Sequence, residues 1–207
     1  MYLMREKSKA LAKLTSLSLD KFLEKLGSAD PAPGGGAAAA LVLAEATALG
    51  EMVARLNLKR AKKQNLKNSS SSKNSASLAG IRKKMLLLLD QDSQVFSVLS
   101  KFKKEDRVKS AYQQILKTAA TIPYQMCLLA EKGILLALLE KPNTSAWLSS
   151  DLLEASILFK AGFAAARLNV DINLSHITDK KFTIKMKAQL NRSVQNIGQA
   201  RKKMGAR

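Results

Sequence analysis

Thiols and imidazoles are almost absent from this chain, which has one cysteine, Cys127, and one histidine, His176, in 207 residues. A single cysteine excludes an internal disulfide and any Cys-rich zinc site, and a single histidine excludes a His-pair motif, so no metal is expected. Cys127 lies between Met126 and Leu128, where a small buried hydrophobe is the ordinary reading. Aromatics make up 5% and prolines number 4, which leaves a core of Leu, Ala, Ile and Met with few built-in breaks. Acids are scarce, with 16 Asp and Glu against 35 Lys and Arg. Long uninterrupted apolar runs are missing too, because the most apolar stretches carry Glu45, Glu51, Glu131 or Lys132. No segment therefore reads as a membrane span. Lys and Arg recur near the start in place of an apolar stretch, so a cytoplasmic location is the expectation.

What is abundant favours helix. Ala, Leu, Met and Lys are strong helix formers, and runs of Val with aromatics are scarce. The pattern predicts an all-α fold, an antiparallel helical bundle of about six to seven helices in a single domain over 1–207. Ser18 is a cap candidate for a first helix over Leu19 to Leu26. A second helix begins near Gly35 and passes Arg55. Its Ala37 to Ala40, Ala44, Ala46, Ala48 and Gly50 make a narrow surface suited to a bundle centre or a subunit interface. Residues 59–74, basic and then Ser-rich, read as a helix tail and a mobile loop. Further helices are expected over Ser75 to Lys101, Asp106 to Ala119, Pro123 to just before Pro142 with the proline in the first turn, Asp151 to Leu168 after a Ser149 or Ser150 cap, and Asp179 to Met204.

The most informative run is Pro31-Ala-Pro33-Gly34-Gly35-Gly36 followed by four alanines. The prolines keep the entering chain extended, and the glycines leave their N–H groups unobstructed. The helix that follows then begins with free amides and a positive dipole end, a ready site for an anion. A second candidate centre is Asp90-Gln-Asp92. Residues two apart on a helix point about 200° from each other. Asp92 falls within the apolar stripe of Met85, Leu88, Leu89, Phe96 and Leu99, whereas Asp90 shares the other side with Ser93, Gln94 and Ser97. An acid in an apolar stripe is costly, and desolvation would lift the Asp92 pKa into the range useful for proton transfer. Either aspartate is a catalytic candidate.

The net charge of +19 suits a polyanionic partner. Nucleic acid is one such partner, although the basic run lacks stacking residues and no nucleic-acid-binding motif appears.

Phe22-Leu23-x-x-Leu26, Pro31-x-Pro33-Gly-Gly-Gly and the small-residue helix ending near Met52-Val53 resemble the cyclodeaminase domain of formiminotransferase-cyclodeaminase. The same family holds stand-alone methenyltetrahydrofolate cyclohydrolases. Asp90-x-Asp92-x-x-x-Phe96 looks like a second signature of the family, in which Asp90 aligns with the acid usually proposed to be catalytic. Ser150-Asp151 and Asn169-Val-Asp171-Ile-Asn173-Leu174 resemble a third. Ala32, Ala37 and Asp171 depart from the residues common there. The resemblance implies an all-helical homodimer with active sites between subunits. It implies a folate substrate, polyglutamylated or not, with no other cofactor. Pro33, Gly34, Gly35, Gly36, Asp151, Asn169 and Asn173 become the substrate-binding candidates. The implied reaction is cyclodeamination of 5-formiminotetrahydrofolate to the 5,10-methenyl form with ammonia release, or methenyltetrahydrofolate cyclohydrolysis. A nucleic-acid-binding protein and a scaffold of the same fold without catalysis are the rival expectations.

Overall fold

The computed structural model describes residues 13–65 and 69–205. Among these residues a 3-10 turn at Leu14–Ser16 precedes six α-helices: α1 Leu19–Leu26, α2 Gly35–Lys63, α3 Ser69–Leu99, α4 Ser110–Glu140, α5 Ser149–Ser175 and α6 Lys180–Met204. No strand occurs among the described residues.

Hydrogen bonds between helices give the topology. Glu140 at the end of α4 meets Asn57 late in α2 and Asn74 early in α3, so α2 and α4 run together and α3 runs against both. Asn173 near the end of α5 donates to the Ala119 carbonyl in the first half of α4, so α5 runs against α4. Asp179, which caps α6, pairs with Lys117, and Lys141 donates to the Lys203 carbonyl, so α6 runs with α4. Helices α2 to α5 form an up-and-down four-helix core, and α6 lies outside on α4 and α5.

Helix α2 fills the centre because it is thin. Gly36, Ala37, Ala39, Ala40, Ala44, Ala46 and Gly50 are buried, while Ala48 is exposed. Its partners are trimmed to match: a Cβ on Gly162 of α5 would fall 2.6 Å from Leu43 Cγ. α2 and the Ser110–Asn143 stretch are long and apolar enough to cross a membrane, but much of that apolar surface faces the bundle.

The first helix and its Ser18 cap are as expected, with the Ser18 hydroxyl accepting from the Lys21 N–H. Three expectations fail for physical reasons. The 59–74 segment is mostly helix: α2 continues to Lys63 and α3 begins at Ser69, and only 66–68 lie outside the described residues. Glu140 explains the helical Ser71. Its fully buried carboxyl takes hydrogen bonds from Ser71 Oγ, Asn74 Nδ2 and Asn57 Nδ2 at 2.7–2.9 Å, and this polar knot fixes the start of α3. Pro123 does not open a helix but sits inside α4. Proline lacks the N–H that would bond the carbonyl four residues back, here that of Ala119. Asn173 Nδ2 supplies the missing donor from α5 at 3.0 Å, so two expected helices are one. Finally, Leu148, with no side-chain cap, precedes α5, and the Ser149 hydroxyl donates to the Ala146 carbonyl. Ser149 and Ser150, the expected caps, therefore lie inside the first turn together with Asp151.

Replacing Asn173 by Ala should leave the Ala119 carbonyl unpaired and cost about 1–3 kcal/mol in urea unfolding. In a Pro123→Ala background, where the backbone can repair itself, the same replacement should cost less than about 1 kcal/mol.

Candidate active site

Helix α2 begins with an unmet electrostatic demand. Its N-cap is Gly34, without a side-chain cap, and its first turn carries no acid. Free N–H groups and the dipole both call for a negative group, and Asp92 of α3 provides it. The Asp92 carboxylate accepts from the Ala37 N–H and lies so close to Gly36 that any Cβ there would collide with it. Only glycine fits at 36, because the carboxylate occupies the space of a side chain.

The outcome for Asp92 is a balance. Burial pushes its pKa up, the Ala37 hydrogen bond pulls it down, and burial wins, raising it to about 6. That agrees with the expectation drawn from the apolar stripe. The glycine turn itself departs from expectation. Its sequence predicts an open anion site, but the protein's own carboxylate sits on it and takes the Ala37 amide.

On the next residue, Gly35 comes up against Asn169, whose amide atoms would lie 3.6 Å from a Cβ at 35. The Asn169 Nδ2 donates to the Ala165 carbonyl of its own helix, which leaves Oδ1 for other donors. Gly35, Gly36, Asp92 and Asn169 thus form one cluster at one end of the bundle. Asn173 is one turn on, but its amide is committed to Ala119.

Asp90 faces elsewhere, as helix geometry requires. It is buried, and Thr15 holds it twice: the backbone N–H donates to Oδ1 at 3.2 Å and the hydroxyl to Oδ2 at 2.7 Å. Asp90 borders a cavity of about 260 Å³ together with Ser93, Gln94 and Ser97, the neighbours assigned to its side from the sequence, and with Lys25 and Pro33. Pro33 therefore belongs to the Asp90 side of the glycine turn, and Gly35 and Gly36 to the Asp92 side. Gly34 stands between them. Thr15 and Lys25 went unnoticed in the sequence. Thr15 lies 75 positions from Asp90, and no local pattern links them.

Asp151 does not join either group. It lies 18 positions before Asn169 on α5, about 27 Å along a helix rising 1.5 Å per residue, at the Glu140 end. His176 is the exposed C-cap of α5. Cys127 is buried as expected, and burial pushes its thiol up to about 12, which rules it out as a thiolate nucleophile near neutrality.

The arrangement defines a class of helical bundle: a central small-residue helix that starts on three glycines beneath a half-buried carboxylate drawn from its neighbour. The sequence model of the formiminotransferase-cyclodeaminase family matches residues 18–192, and the chain belongs to that family. It is 31% identical to the methenyltetrahydrofolate cyclohydrolase of Methylorubrum extorquens, over 80% of this chain and 83% of that one. It is 30% identical to the formimidoyltransferase-cyclodeaminase of Gallus gallus, over 90% of this chain but only 36% of that longer protein. The crystal structure of formiminotetrahydrofolate cyclodeaminase from Thermotoga maritima superposes with a TM-score of 0.83 at 26% identity, covering 92% of this chain and 95% of that one.

The raised pKa of Asp92 has a sign that unfolding can test. Its folded value, about 6, exceeds the ordinary 3.8, so the folded state holds the extra proton between those values. Stability from this group is present below about pH 4 and is lost as pH rises through 6. Asp92→Asn removes the titration. Its stability relative to the parent should rise by up to about 3 kcal/mol between pH 4 and 7.5, read from urea midpoints.

Proposed function

We propose that the protein is a folate one-carbon enzyme that makes or consumes 5,10-methenyltetrahydrofolate, with Asp92 as its proton shuttle. The observation that carries the chemistry is the Asp92 carboxylate, set over the glycine turn beside Asn169 with a pKa near 6. A base poised there is ionised at neutral pH yet returns its proton readily. Family membership favours this reading over a nucleic-acid-binding protein or a scaffold.

In cyclodeamination, N10 attacks the formimino carbon of 5-formiminotetrahydrofolate and a C–N bond forms. The formimino nitrogen first takes a proton from solvent, Asp92 then takes the N10 proton and hands it to the same nitrogen, the bond to that nitrogen breaks, and ammonia leaves behind the methenyl cation. In cyclohydrolysis, a water oxygen adds to the methenyl carbon and Asp92 takes its proton. The C–N5 bond then breaks, N5 receives that proton, and the second water proton goes to solvent to leave the 10-formyl product. Either route needs one carboxylate moving one proton twice, and the folate brings the reactive carbon, so no further cofactor enters the proposal.

A homodimer fits the surface around this cluster. Ile157, Leu168 and Ile172 are 53–65% exposed and follow one face of α5 past Asn169. A second copy covering that face would close the site from above. The lysines of α6 would suit a polyglutamate tail, and the cytoplasm is the compartment proposed for this chemistry.

Purified protein given 5-formiminotetrahydrofolate should generate methenyl absorbance, or should accelerate its loss when given 5,10-methenyltetrahydrofolate. Activity should fall as pH drops below about 6. Asp92→Asn should lower turnover by roughly 10²–10⁴-fold with helicity retained. Full turnover in that variant would remove Asp92 from the mechanism, and silence of the folded parent with both substrates would overturn the folate reading.

A further inference from the structure

We propose that the end of the bundle remote from Asp92 is a docking surface for single-stranded nucleic acid, on which the Trp147 ring stacks against a base and the cations closing α2 and α6 take the phosphates. This is a second binding surface, and it stands whether or not the folate reading holds.

Three helices, α2, α4 and α6, end at this pole, and one short strap ties them together. Arg60 of α2 donates to the Asn143 carbonyl, Asn57 of α2 reaches Thr144 Oγ1 at 3.2 Å, and Lys141 donates to the Lys203 carbonyl of α6 at 2.7 Å. Arg60, Lys62 and Lys63 lie in the last turn of α2, and Arg201, Lys202 and Lys203 in that of α6. Lys62, Lys63, Lys141, Lys202 and Lys203 are exposed. None of these seven cations forms an ion pair among the described residues.

Cations at helix C-termini ordinarily answer the helix dipole, but the demand here is too small for the supply. Each C-terminus carries about half a negative charge, so α2, α4 and α6 together ask for fewer than about two cations. The acids at this end are Glu140, held inside by neutral donors, and Asp151 and Glu154 at the start of α5. With all of these counted, positive charge is still in surplus, and a surplus at one pole attracts a polyanion.

Trp147 is the second, independent sign. It is the chain's one tryptophan and is 86% exposed, although a ring of that size normally buries most of its area. It follows Thr144 by three residues, at most about 11 Å of chain, and so stands beside the end of α2. The basic run 59–73 has no aromatic residue of its own, and the strap between α4 and α5 brings one to it. A cationic track with an aromatic platform is the arrangement that holds single strands. A duplex hides the base faces that stack. A membrane surface calls for several apolar groups together, whereas Asn143, Thr144, Ser145, Ser149 and Ser150 flank this ring in the chain.

Because the chain has one tryptophan, its emission reports the contact directly. Titrating the intact protein with an oligouridylate of about twelve nucleotides should quench that emission. Binding should weaken at least roughly tenfold as salt rises from about 50 to about 200 mM. Trp147→Ala, followed by anisotropy of the labelled oligonucleotide, should bind at least roughly fivefold more weakly with the salt slope kept. Lys62→Glu combined with Lys63→Glu should flatten the slope while the quench at saturation remains. All three positions are exposed, so helicity should be unchanged in both variants. Unquenched emission at saturation, parental affinity in Trp147→Ala, or equal affinity for an adenylate–uridylate duplex of the same length overturns the proposal. A blue shift on anionic phospholipid vesicles with no response to oligouridylate also overturns it, and assigns the surface to lipid.

Discussion

The backbone of α2 must be approachable, and the rest of the structure follows from that. Ala and Gly along its buried faces let α3, α4 and α5 pack against main chain as well as side chain. The neighbours answer in kind: Gly133 of α4 leaves room for the ring of Phe159, and Gly162 of α5 leaves room for Leu43. Close packing of this sort gains many weak contacts and has little tolerance for added volume. It also brings the carboxylate of α3 within reach of the first turn of α2, which a bulkier helix would have held away. The chemistry at Asp92 is in that sense a product of packing.

Polar groups are placed where this packing opens, at the two ends and along one seam. At the far end Glu140 gathers α2, α3 and α4. Midway, Glu51 of α2 is paired with Arg55 and with Arg82 of α3. Burial pushes the Glu51 pKa up, but the hydrogen bonds and charges of both arginines outweigh it and leave it below its usual value. At the site end two aspartates of one helix turn face opposite ways, one toward the core and one toward a cavity closed by the Leu14–Ser16 turn. A single turn of α3 therefore serves two separate surroundings.

Most of the fold was legible because its signals are local: composition, the Ser18 cap, the small-residue stripe and the acid within an apolar stripe. The errors arose where a distant residue changes the local meaning. Pro123 signals a helix boundary until Asn173, fifty positions away, pairs the carbonyl it orphans. A run of four serines signals a loop until a buried carboxylate takes one of them, Ser71, as a donor. Three glycines signal an open anion site until a neighbouring helix fills it. Thr15 carries no local signal for contact with Asp90, and only the folded chain reveals it. Asp151 matched a family pattern in sequence, yet the rise of α5 alone sets it far from Asn169.

Glu140 has a further consequence for a chain so rich in cations. Its carboxyl is gripped by neutral amides and a hydroxyl, and no Lys or Arg among the described residues forms an ion pair with it. Mobile ions screen exposed charges far more than groups sealed from water. The far end of the bundle should therefore ignore ionic strength, and the basic exterior can gather or release anions without loosening what holds the helices together.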